Sequence, residues 1–316
     1  MAEILALGEL LTEFMAERIG QTFIEPGIYA GPYPSGAPAI FADQAAKTGA
    51  SVALIGCVGR DGFGDLIVNR LREDGADVSS IARSETLPTG TAFVTYRANG
   101  DRDFIFNIGN SAAAQIDASS VRPELARGVK FLHVMGSSLG SVGTIAAVMQ
   151  AIELIRKDGG KVSFDPNIRR EILASAPARN ALESMLSECD ILLPSEADLH
   201  YFYGDVPPIE AVSQLFAARR LQMIVVKRAQ QGCAYYDRDQ SLRVPAFKID
   251  QLDPTGAGDC FGGTLISCLV QRIELTRALT LANAAGALAV AKRGPMEGNS
   301  TMDELNRFIA TAERHE

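Results

Sequence analysis

The sequence predicts an α/β fold with a three-layer α/β/α core, a mostly parallel central sheet and a small additional β-sheet. Short apolar runs alternate with helical stretches along most of the chain, which is typical of parallel sheets covered by helices on both faces. Two segments break this alternation with turn and hairpin signals. The 316 residues, 47% of them hydrophobic, suffice for one large domain with a substantial core.

The predicted elements follow from the period of the apolar residues. The expected strands are short apolar runs, at residues 1–8, 52–56, 131–136, 162–165, 191–194 and 223–227. The expected helices are at residues 64–74, 142–157, 176–187, 209–219 and 302–314, with others starting near Ile40, after Gly258 and around Asn283. Ligands of such sheets bind at the carboxyl ends of the strands, so polar residues just after these strands are candidates for a site.

Two segments predict the small β-sheet. Residues 9–34 are long and rich in Gly and Pro, and residues 89–108 read as two strands around an Asn99-Gly100-Asp101 turn. Asn-Gly between alternating apolar residues is a strong hairpin signal. An ordinary surface hairpin is the alternative interpretation of the second segment.

Composition excludes several classes of protein. The net charge is −8, the pI is near 5.1 and no Lys/Arg cluster is present, so a nucleic-acid surface is not expected. Five widely spaced cysteines without a C-x-x-C pair indicate neither a zinc site nor a disulfide framework. No apolar run is long enough for a membrane span, and the N-terminus lacks a basic signal-peptide region, so we expect a cytoplasmic protein without a membrane partner.

The most specific motif is Asp253-Pro254-Thr255-Gly256-Ala257-Gly258-Asp259. Its glycines precede a predicted buried helix and allow a close approach to a ligand. Free N–H groups and the helix dipole attract anions at such a helix start. Asp259 would lie in the first turn beside that anion. Donors for a phosphate next to a carboxylate are what phosphoryl transfer to a hydroxyl needs.

This heptapeptide resembles the signature of the ribokinase-like carbohydrate kinases, the PfkB family. The resemblance implies one ribokinase-like kinase domain over residues 1–316, with a lid from about residues 9–34 and 89–108 inserted in the core. It implies Asp259 as the catalytic base and the N–H groups of Gly256, Ala257 and Gly258 as the anion hole. It further implies ATP and Mg²⁺, a sugar substrate, and a homodimer formed through the lid.

The sugar side of the site is expected at a second small-residue turn. Ser35-Gly36 resembles the family's N-terminal Gly-Gly motif, which approaches the sugar, so Gly36 is a candidate sugar contact. Ser35 stands in place of the first Gly, and Ile40 stands where an Asn is usual. A plain small-residue helix start is the competing interpretation.

Asp165-Pro166-Asn167-Ile168-Arg169 closes a predicted strand and matches the D-x-N-x-R run of ketohexose and 2-keto-3-deoxygluconate kinases in the family. Asn167 and Arg169 are therefore candidate substrate ligands. The planar donor fork of Arg169 suits a phosphate or a substrate carboxylate. Glu13 is a further candidate ligand for a sugar hydroxyl.

The nucleotide side is expected after two later strands. Ser195 and Asp198 stand where the family has N-x-x-E, so Ser195 is assigned to the nucleotide and Asp198 to Mg²⁺ through water; a Ser N-cap explains them equally well. Lys227 and Gly232 match a K-x-G-x-x-G nucleotide loop in which Ala229 replaces a Gly. A solvated Lys is the alternative for Lys227.

Two weaker assignments come from the resemblance alone. Asn283 lies on a small-residue helix that faces the adenine in the family, although close helix packing explains such residues too. Asp253, Thr255 and the Gly294 loop resemble the part of relatives that binds a monovalent cation such as K⁺.

The sugar itself is less well determined by the sequence. Kinases of the keto-deoxy acid carry an Arg three residues before a Ser-Ala-Ala, and here Ile108 precedes Ser111-Ala112-Ala113. We therefore expect a neutral ketohexose such as fructose or tagatose, with 2-keto-3-deoxygluconate as the alternative because Arg169 can hold a carboxylate. A non-catalytic sugar- or nucleotide-sensing relative is a more distant alternative. A dinucleotide-dependent oxidoreductase lacks its G-x-G-x-x-G after Gly8.

Overall fold

Two separate sheets form the β-structure of the chain in the computed structural model, which describes residues 1–99, 101–169, 173 and 175–315. The strands within these residues are β1 Ile4–Leu7, β2 Leu11–Ala16, β3 Tyr29–Ser35, β4 Val52–Gly59, β5 Ile81–Ser84, β6 Gly90–Tyr96, β7 Arg102–Asn107, β8 Phe131–Met135, β9 Lys161–Asp165, β10 Ile191–Leu192, β11 Met223–Lys227, β12 Cys233–Tyr236 and β13 Ser241–Val244.

The large sheet has the order β13-β12-β11-β10-β9-β8-β1-β4-β5 in the described residues. The strands from β11 to β5 pair in parallel, and β12 pairs antiparallel with both of its neighbours. The predicted, mostly parallel sheet is thus confirmed. β1 lies between β8 and β4, so later strands of the chain were added on both sides of it. In sheets of this kind a crevice forms at such a position, at the carboxyl ends of the strands.

Helices cover both faces of this sheet, which confirms the three-layer prediction. In the described parts of the chain the α-helices are α1 Ala37–Lys47, α2 Gly62–Glu73, α3 Pro123–Ala126, α4 Val142–Lys157, α5 Ala176–Glu188, α6 Glu196–Tyr203, α7 Pro208–Ala218, α8 Ala257–Val270, α9 Leu275–Val290 and α10 Met302–Thr311. One core cluster joins α1, α2 and α8–α10 to the sheet, and the other joins α3–α7 to its opposite face. Ile4 and Ala6 belong to the first cluster and Leu5 and Leu7 to the second, as expected of a strand buried on both faces.

The small sheet has the order β3-β2-β6-β7 within the described residues. β2 pairs in parallel with β6, while β2–β3 and β6–β7 are antiparallel. The small separate sheet predicted from residues 9–34 and 89–108 is therefore present. Of the predicted hairpin turn, Gly100 lies outside the described residues.

Several predicted boundaries were wrong, and the start of α1 matters for the site. The sequence predicted a helix from about Ile40, but α1 begins at Ala37 because Gly36 caps it with φ 109° and Pro38 fits the first turn. A Cβ at residue 36 would lie 2.4 Å from the carbonyl oxygen of Glu9, so only Gly allows this approach. The short strands β5, β12 and β13 were not predicted, since four residues carry little periodic signal.

No helix among the described residues is long and apolar enough to cross a membrane. All five cysteines lie in the described part of the chain, where they are buried and form no disulfide.

Candidate active site

A cavity of about 270 Å³ lies between the carboxyl edge of the large sheet and the small sheet. It brings together six residues that the sequence assigned to catalysis or to binding: Glu13, Gly36, Arg169, Thr255, Gly256 and Asp259. It also includes several side chains that the sequence analysis missed: Glu9, Arg102, Phe104, Phe106, Ser137 and Ser138. A larger cavity of about 1200 Å³ adjoins it and shares Arg102, Phe104 and Arg169.

The glycine-rich loop meets its helix as predicted. Helix α8 starts at Ala257, and Gly256 immediately before it takes the left-handed conformation with φ 80°. A Cβ at residue 256 would lie 2.5 Å from the carbonyl oxygen of Pro295, so the turn requires glycine. The first N–H groups of α8 have no intrahelical acceptor and are available to an anion.

Asp259 is buried in the first turn of α8 and lines the cavity. Burial, reinforced by the nearby Asp165 carboxylate, raises its pKa to about 7, although Lys227 and Arg169 oppose the shift. The amide nitrogen of Asn167 donates to Asp259 Oδ1 at 3.3 Å. A carboxyl group with a pKa near neutral is well suited to accept a proton from a hydroxyl group.

Lys227 lies beside the start of α8 and does not line the cavity. It ends β11, and its Nζ forms an ion pair with the buried carboxylate of Asp165. The same Nζ is 3.3 Å from the point that a Cβ would occupy at Gly258. A cation and the free N–H groups of α8 therefore converge on one spot, which suits a phosphate.

Glu13 and Ser35 form a polar pair at the cavity. The Ser35 hydroxyl donates to Glu13 Oε2 at 2.9 Å, and burial raises the pKa of Glu13 to about 7. Glu13 Oε1 is buried and has no hydrogen-bond partner among the described residues. Because buried polar atoms are normally satisfied, this oxygen is available to a ligand hydroxyl. Ser35, which replaces a family Gly, thus orients Glu13.

Glu9 is a second buried carboxylate of the cavity, and it lies two residues after the end of β1. Ser137 Oγ donates to Glu9 Oε1 at 2.9 Å and Ser138 Oγ donates to Oε2 at 2.6 Å. The two serines lie in the turn Gly136–Gly140 after β8. Burial raises the pKa of Glu9. Glu9, Ser137 and Ser138 all lie just after β1 or β8, which are neighbouring strands. That position in the sequence could have identified them as candidates for the site.

Alternate residues from β7 onward face the cavity, namely Arg102, Phe104, Phe106 and Ile108. This period of two is that of a strand with one face on a ligand site. The guanidinium groups of Arg102 and Arg169 lie 5.4 and 5.9 Å from the centre of the Phe104 ring. Ile108, which stands where acid-sugar kinases carry an Arg, thus adds apolar surface to the cavity.

Ser195 and Asp198 lie outside the cavity and cap α6 reciprocally. Asp198 Oδ2 accepts from the Ser195 backbone at 2.7 Å, and Asp198 Oδ1 accepts from the Ile168 backbone at 3.1 Å. Both carboxylate oxygens therefore have protein donors. Ser195 nevertheless forms an isolated parallel β-bridge with Lys227, which places it beside the end of β11.

Gly232 and Asn283 also lie away from the cavity. A Cβ at Gly232, where φ is 83°, would lie 2.0 Å from the carbonyl oxygen of Val244. The Asn283 amide donates to the carbonyl oxygens of Val244 at 3.0 Å and Pro245 at 3.3 Å. Both residues hold the segment after β13, so these contacts give each of them a structural role.

Asp253, Thr255 and Gly294, which the sequence assigned to a monovalent-cation site, lie together in the structure. Asp253 Oδ1 accepts from the Thr255 hydroxyl at 2.8 Å and from its backbone N–H at 3.0 Å. Asp253 Oδ2 accepts from Gly294 N–H at 3.2 Å. Asp253 is buried, so the two loops meet around one enclosed carboxylate.

The described residues contain no group of three or more His, Cys, Asp or Glu side chains arranged to hold a metal ion. Mg²⁺ does not need such a group, because it usually keeps several waters and binds with one or two carboxylates together with substrate phosphates. Asp165 forms an ion pair with Lys227, and Asp198 is a second carboxylate close to Asp165.

The chain is similar to carbohydrate kinases along almost its whole length. The model of the pfkB family carbohydrate kinases matches residues 5–302. Fructokinase-1 of Oryza sativa subsp. japonica is 31% identical over 318 residues, covering 98% of both chains. A putative ribokinase II of E. coli, solved in complex with ATP and Mg²⁺, is 44% identical with a TM-score of 0.93, covering 98% of this chain and 99% of that one.

A third relative was solved with a sugar. The fructokinase of Vibrio cholerae O395, in a form with bound fructose, ADP and calcium ion, is 25% identical with a TM-score of 0.84. The similarity covers 98% of this chain and 99% of that one. A double mutant of the same enzyme was solved with fructose, ADP and potassium ion. Because the family model spans nearly the whole chain, this chain belongs to the pfkB family of carbohydrate kinases.

Proposed function

We propose that this carbohydrate kinase transfers the γ-phosphoryl group of ATP to a primary hydroxyl of a neutral ketohexose of the fructose or tagatose type. The observation that carries the proposal is the position of Asp259, buried beside the first N–H groups of α8 and on the surface of the 270 Å³ cavity. The fructokinase relatives support the choice of sugar.

In this proposal the cavity holds the sugar and Asp259 takes the proton of the reacting hydroxyl. The oxygen then attacks the γ-phosphorus, the bond to the β-phosphate oxygen breaks, and ADP leaves. The N–H groups of Gly256, Ala257 and Gly258 stabilise the charge on the transferring group, and Lys227 and Arg169 add positive charge. Mg²⁺ supplies charge neutralisation on the phosphates. Glu13, Gly36 and Asn167 contact the sugar side.

The remaining assignments belong to the nucleotide and the ions. We assign Ser195, Gly232 and Asn283 to the nucleotide side. Gly232 and Asn283 would act indirectly, by fixing the shape of the loop and of the helix on which they lie. Asp198 would order waters of Mg²⁺ through its remaining lone pairs. The enclosed carboxylate of Asp253, with Thr255, is the place for a monovalent cation such as K⁺.

The small sheet acts as a lid in this proposal. Phe104, Phe106 and Ile108 cover the cavity with apolar surface, and exclusion of water by this cover favours transfer to the sugar over hydrolysis of ATP.

We also propose that two copies of the chain form a homodimer through the same small sheet. Size-exclusion chromatography with light scattering tests it.

One observation favours 2-keto-3-deoxygluconate as a second candidate substrate. Arg102 adds a second guanidinium to that of Arg169 at the cavity, and paired guanidinium groups are suited to a carboxylate. Against this, Arg102 already lies among the carboxylates of Glu13 and Asp253.

The test is ADP release from Mg-ATP with fructose, tagatose, other ketoses, ribose, adenosine and 2-keto-3-deoxygluconate. We expect the highest kcat/KM with a neutral ketohexose. Release with the keto acid alone would overturn the neutral-sugar assignment. Folded protein that binds ATP but releases no ADP with any sugar would favour the sensing relative. Asp259→Asn should lose the sugar-dependent ADP release, and Asp205→Asn, at a fully exposed side chain, is its matched control.

A further inference from the structure

Arg102 connects the small sheet to the loop that carries the anion hole. It is the first residue of β7, and its Nη1 donates to the Thr255 hydroxyl oxygen at 2.8 Å. Thr255 immediately precedes Gly256, whose left-handed conformation starts α8. The hydroxyl of Thr255 in turn donates to Asp253 Oδ1 at 2.8 Å. A two-step chain of hydrogen bonds therefore runs from the small sheet through Thr255 to Asp253.

The hydrogen bond between Arg102 and Thr255 depends on where the small sheet lies, and the groups around the Arg102 guanidinium explain why. Burial and the like charge of Arg169 lower the pKa of Arg102, while Asp253, Glu13 and Tyr96 oppose the shift. A largely desolvated cation is stable only where such partners surround it. These partners lie on both sides of the contact. Glu13 is on β2 of the small sheet, and Asp253 is on the loop before α8. The guanidinium is thus fully satisfied only when the small sheet rests on the loop.

A second arginine, Arg293, connects a loop of the core to the small sheet. Arg293 belongs to the loop before Gly294, and its Nη2 donates to the carbonyl oxygen of Ala16, the last residue of β2, at 2.6 Å. Gly294 N–H donates to Asp253 Oδ2. Arg102 is therefore linked to Asp253 through Thr255, and Arg293 is the neighbour of Gly294, which donates to the other oxygen of Asp253. Together they tie the position of the small sheet to the position of the loop.

We infer that Arg102 is a positioning residue that couples the seating of the small sheet over the sugar to the alignment of the anion hole. It acts through Thr255, whose hydroxyl it holds, and not by contact with the sugar or the phosphate. This inference rests on the proposed function, because it assumes phosphoryl transfer at Gly256–Gly258. Its consequence is that ATP meets an aligned anion hole only when the small sheet has closed.

The test is a double-mutant cycle of Arg102→Met and Thr255→Val, with fructose, or the best ketose of the panel, as the sugar. We expect each single variant to lower kcat about 10- to 100-fold, because small misplacements of catalytic groups have effects of this size. The sugar Kd, measured by calorimetry without ATP, should change less than about 3-fold. The double variant should be no slower than the slower single variant, since both changes interrupt one chain of contacts.

Two further variants complete the experiment. Arg97→Met is the matched control, because Arg97 is exposed at the end of the same hairpin and pairs with Asp103. Its kcat should equal that of the parent. Arg102→Lys keeps the positive charge beside Glu13 and Asp253 and replaces Arg102→Met in the cycle if the Met variant does not fold. Its point-like ammonium group should lower kcat about 5-fold, with the same lack of additivity.

The outcomes separate the inference from the function it rests on. A raised sugar Kd with unchanged kcat would mean that Arg102 binds the sugar directly, and multiplicative losses in the double variant would mean that Arg102 and Thr255 act independently. Either result would overturn the inference and leave the kinase activity intact. Absence of sugar-dependent ADP release from the parent protein would instead overturn the proposed function.

Discussion

The amide nitrogen of Asn167 lies 3.3 Å from Oδ1 of Asp259 and donates a hydrogen bond to it. Asn167 has φ 37°, a left-handed conformation that Asn tolerates better than most residues, and its own N–H donates to Asp165 Oδ1 at 3.2 Å. The turn after β9 thus aims an amide at the proposed base. A donor to a carboxylate favours its ionised form, which counteracts the effect of burial.

Substitution of Asn167 should shift the pH dependence of the reaction. In Asn167→Asp a second carboxylate replaces the donor, so the pKa of Asp259 should rise further and the acid limb of kcat/KM should move up by about 1 pH unit. Asn167→Gly keeps the backbone conformation and removes the amide, and we expect kcat to fall about 10-fold. Full pH profiles of both variants check this. Profiles that superimpose on that of the parent would show that Asn167 does not act on the base.

The parent enzyme should lose activity on acidification with a midpoint near pH 7. Asp259 has to be ionised to accept a proton, and its pKa is about 7, so kcat/KM should rise with pH through neutrality and then level off. Glu13→Gln should keep this limb while raising the KM for the sugar, since Glu13 is assigned to binding. A midpoint near pH 4, typical of an unperturbed carboxyl group, would contradict the assignment of Asp259 as the buried base.

Removal of the Asp259 charge should stabilise the ligand-free protein at alkaline pH. Because the pKa of Asp259 is raised on folding, the folded state binds more protons than the unfolded state between about pH 4 and 7. The free energy of unfolding therefore decreases as the pH rises through this window. We expect the Tm of Asp259→Asn to exceed that of the parent by about 5 °C at pH 8, and by much less at pH 4.

Scanning calorimetry at both pH values checks this prediction. Asp205→Asn, at an exposed carboxyl, should show the same small difference from the parent at either pH. A Tm difference for Asp259→Asn that shrinks as the pH rises would contradict the sign of the pKa shift.

Loss of Lys227 should affect stability as well as nucleotide binding. Lys227→Met leaves the buried Asp165 carboxylate without its cation, which should lower the free energy of unfolding by about 3 kcal/mol. Addition of Asp165→Asn should recover most of that loss, since no buried charge then remains. Denaturant unfolding measures both. The KM for ATP should stay raised in the double variant, because the cation near Gly258 is absent in each case; recovery of a normal KM would contradict the phosphate role of Lys227.

The glycine-rich loop at residues 253–259 was predictable from sequence because its motif is continuous in the chain. Seven consecutive residues contain the left-handed turn at Gly256, the start of α8 and Asp259, so one local motif was enough to predict all three. The layers of the core were predictable for a similar reason, since strands such as 223–227 and helices such as 142–157 show clear apolar periods.

Other parts of the site depend on tertiary structure. Glu9, Ser137 and Arg102 come from distant segments, and only the pairing of β1 with β8 and the position of β7 bring them to one cavity. No local pattern distinguishes such residues from ordinary polar ones. Asp198 shows the opposite problem, because a Ser-x-x-Asp sequence serves equally as a helix cap, and in the structure both of its carboxylate oxygens have protein donors.

The most direct test of the central claim is single-turnover phosphoryl transfer by Asp259→Asn, with sugar and Mg-ATP binding measured separately on the same variant. We predict that the sugar Kd stays within about 3-fold of the parent value while the rate of transfer falls about 10²- to 10⁴-fold, as expected when a general base is removed. A transfer rate within tenfold of the parent, with binding intact, would contradict the role of Asp259 as the base.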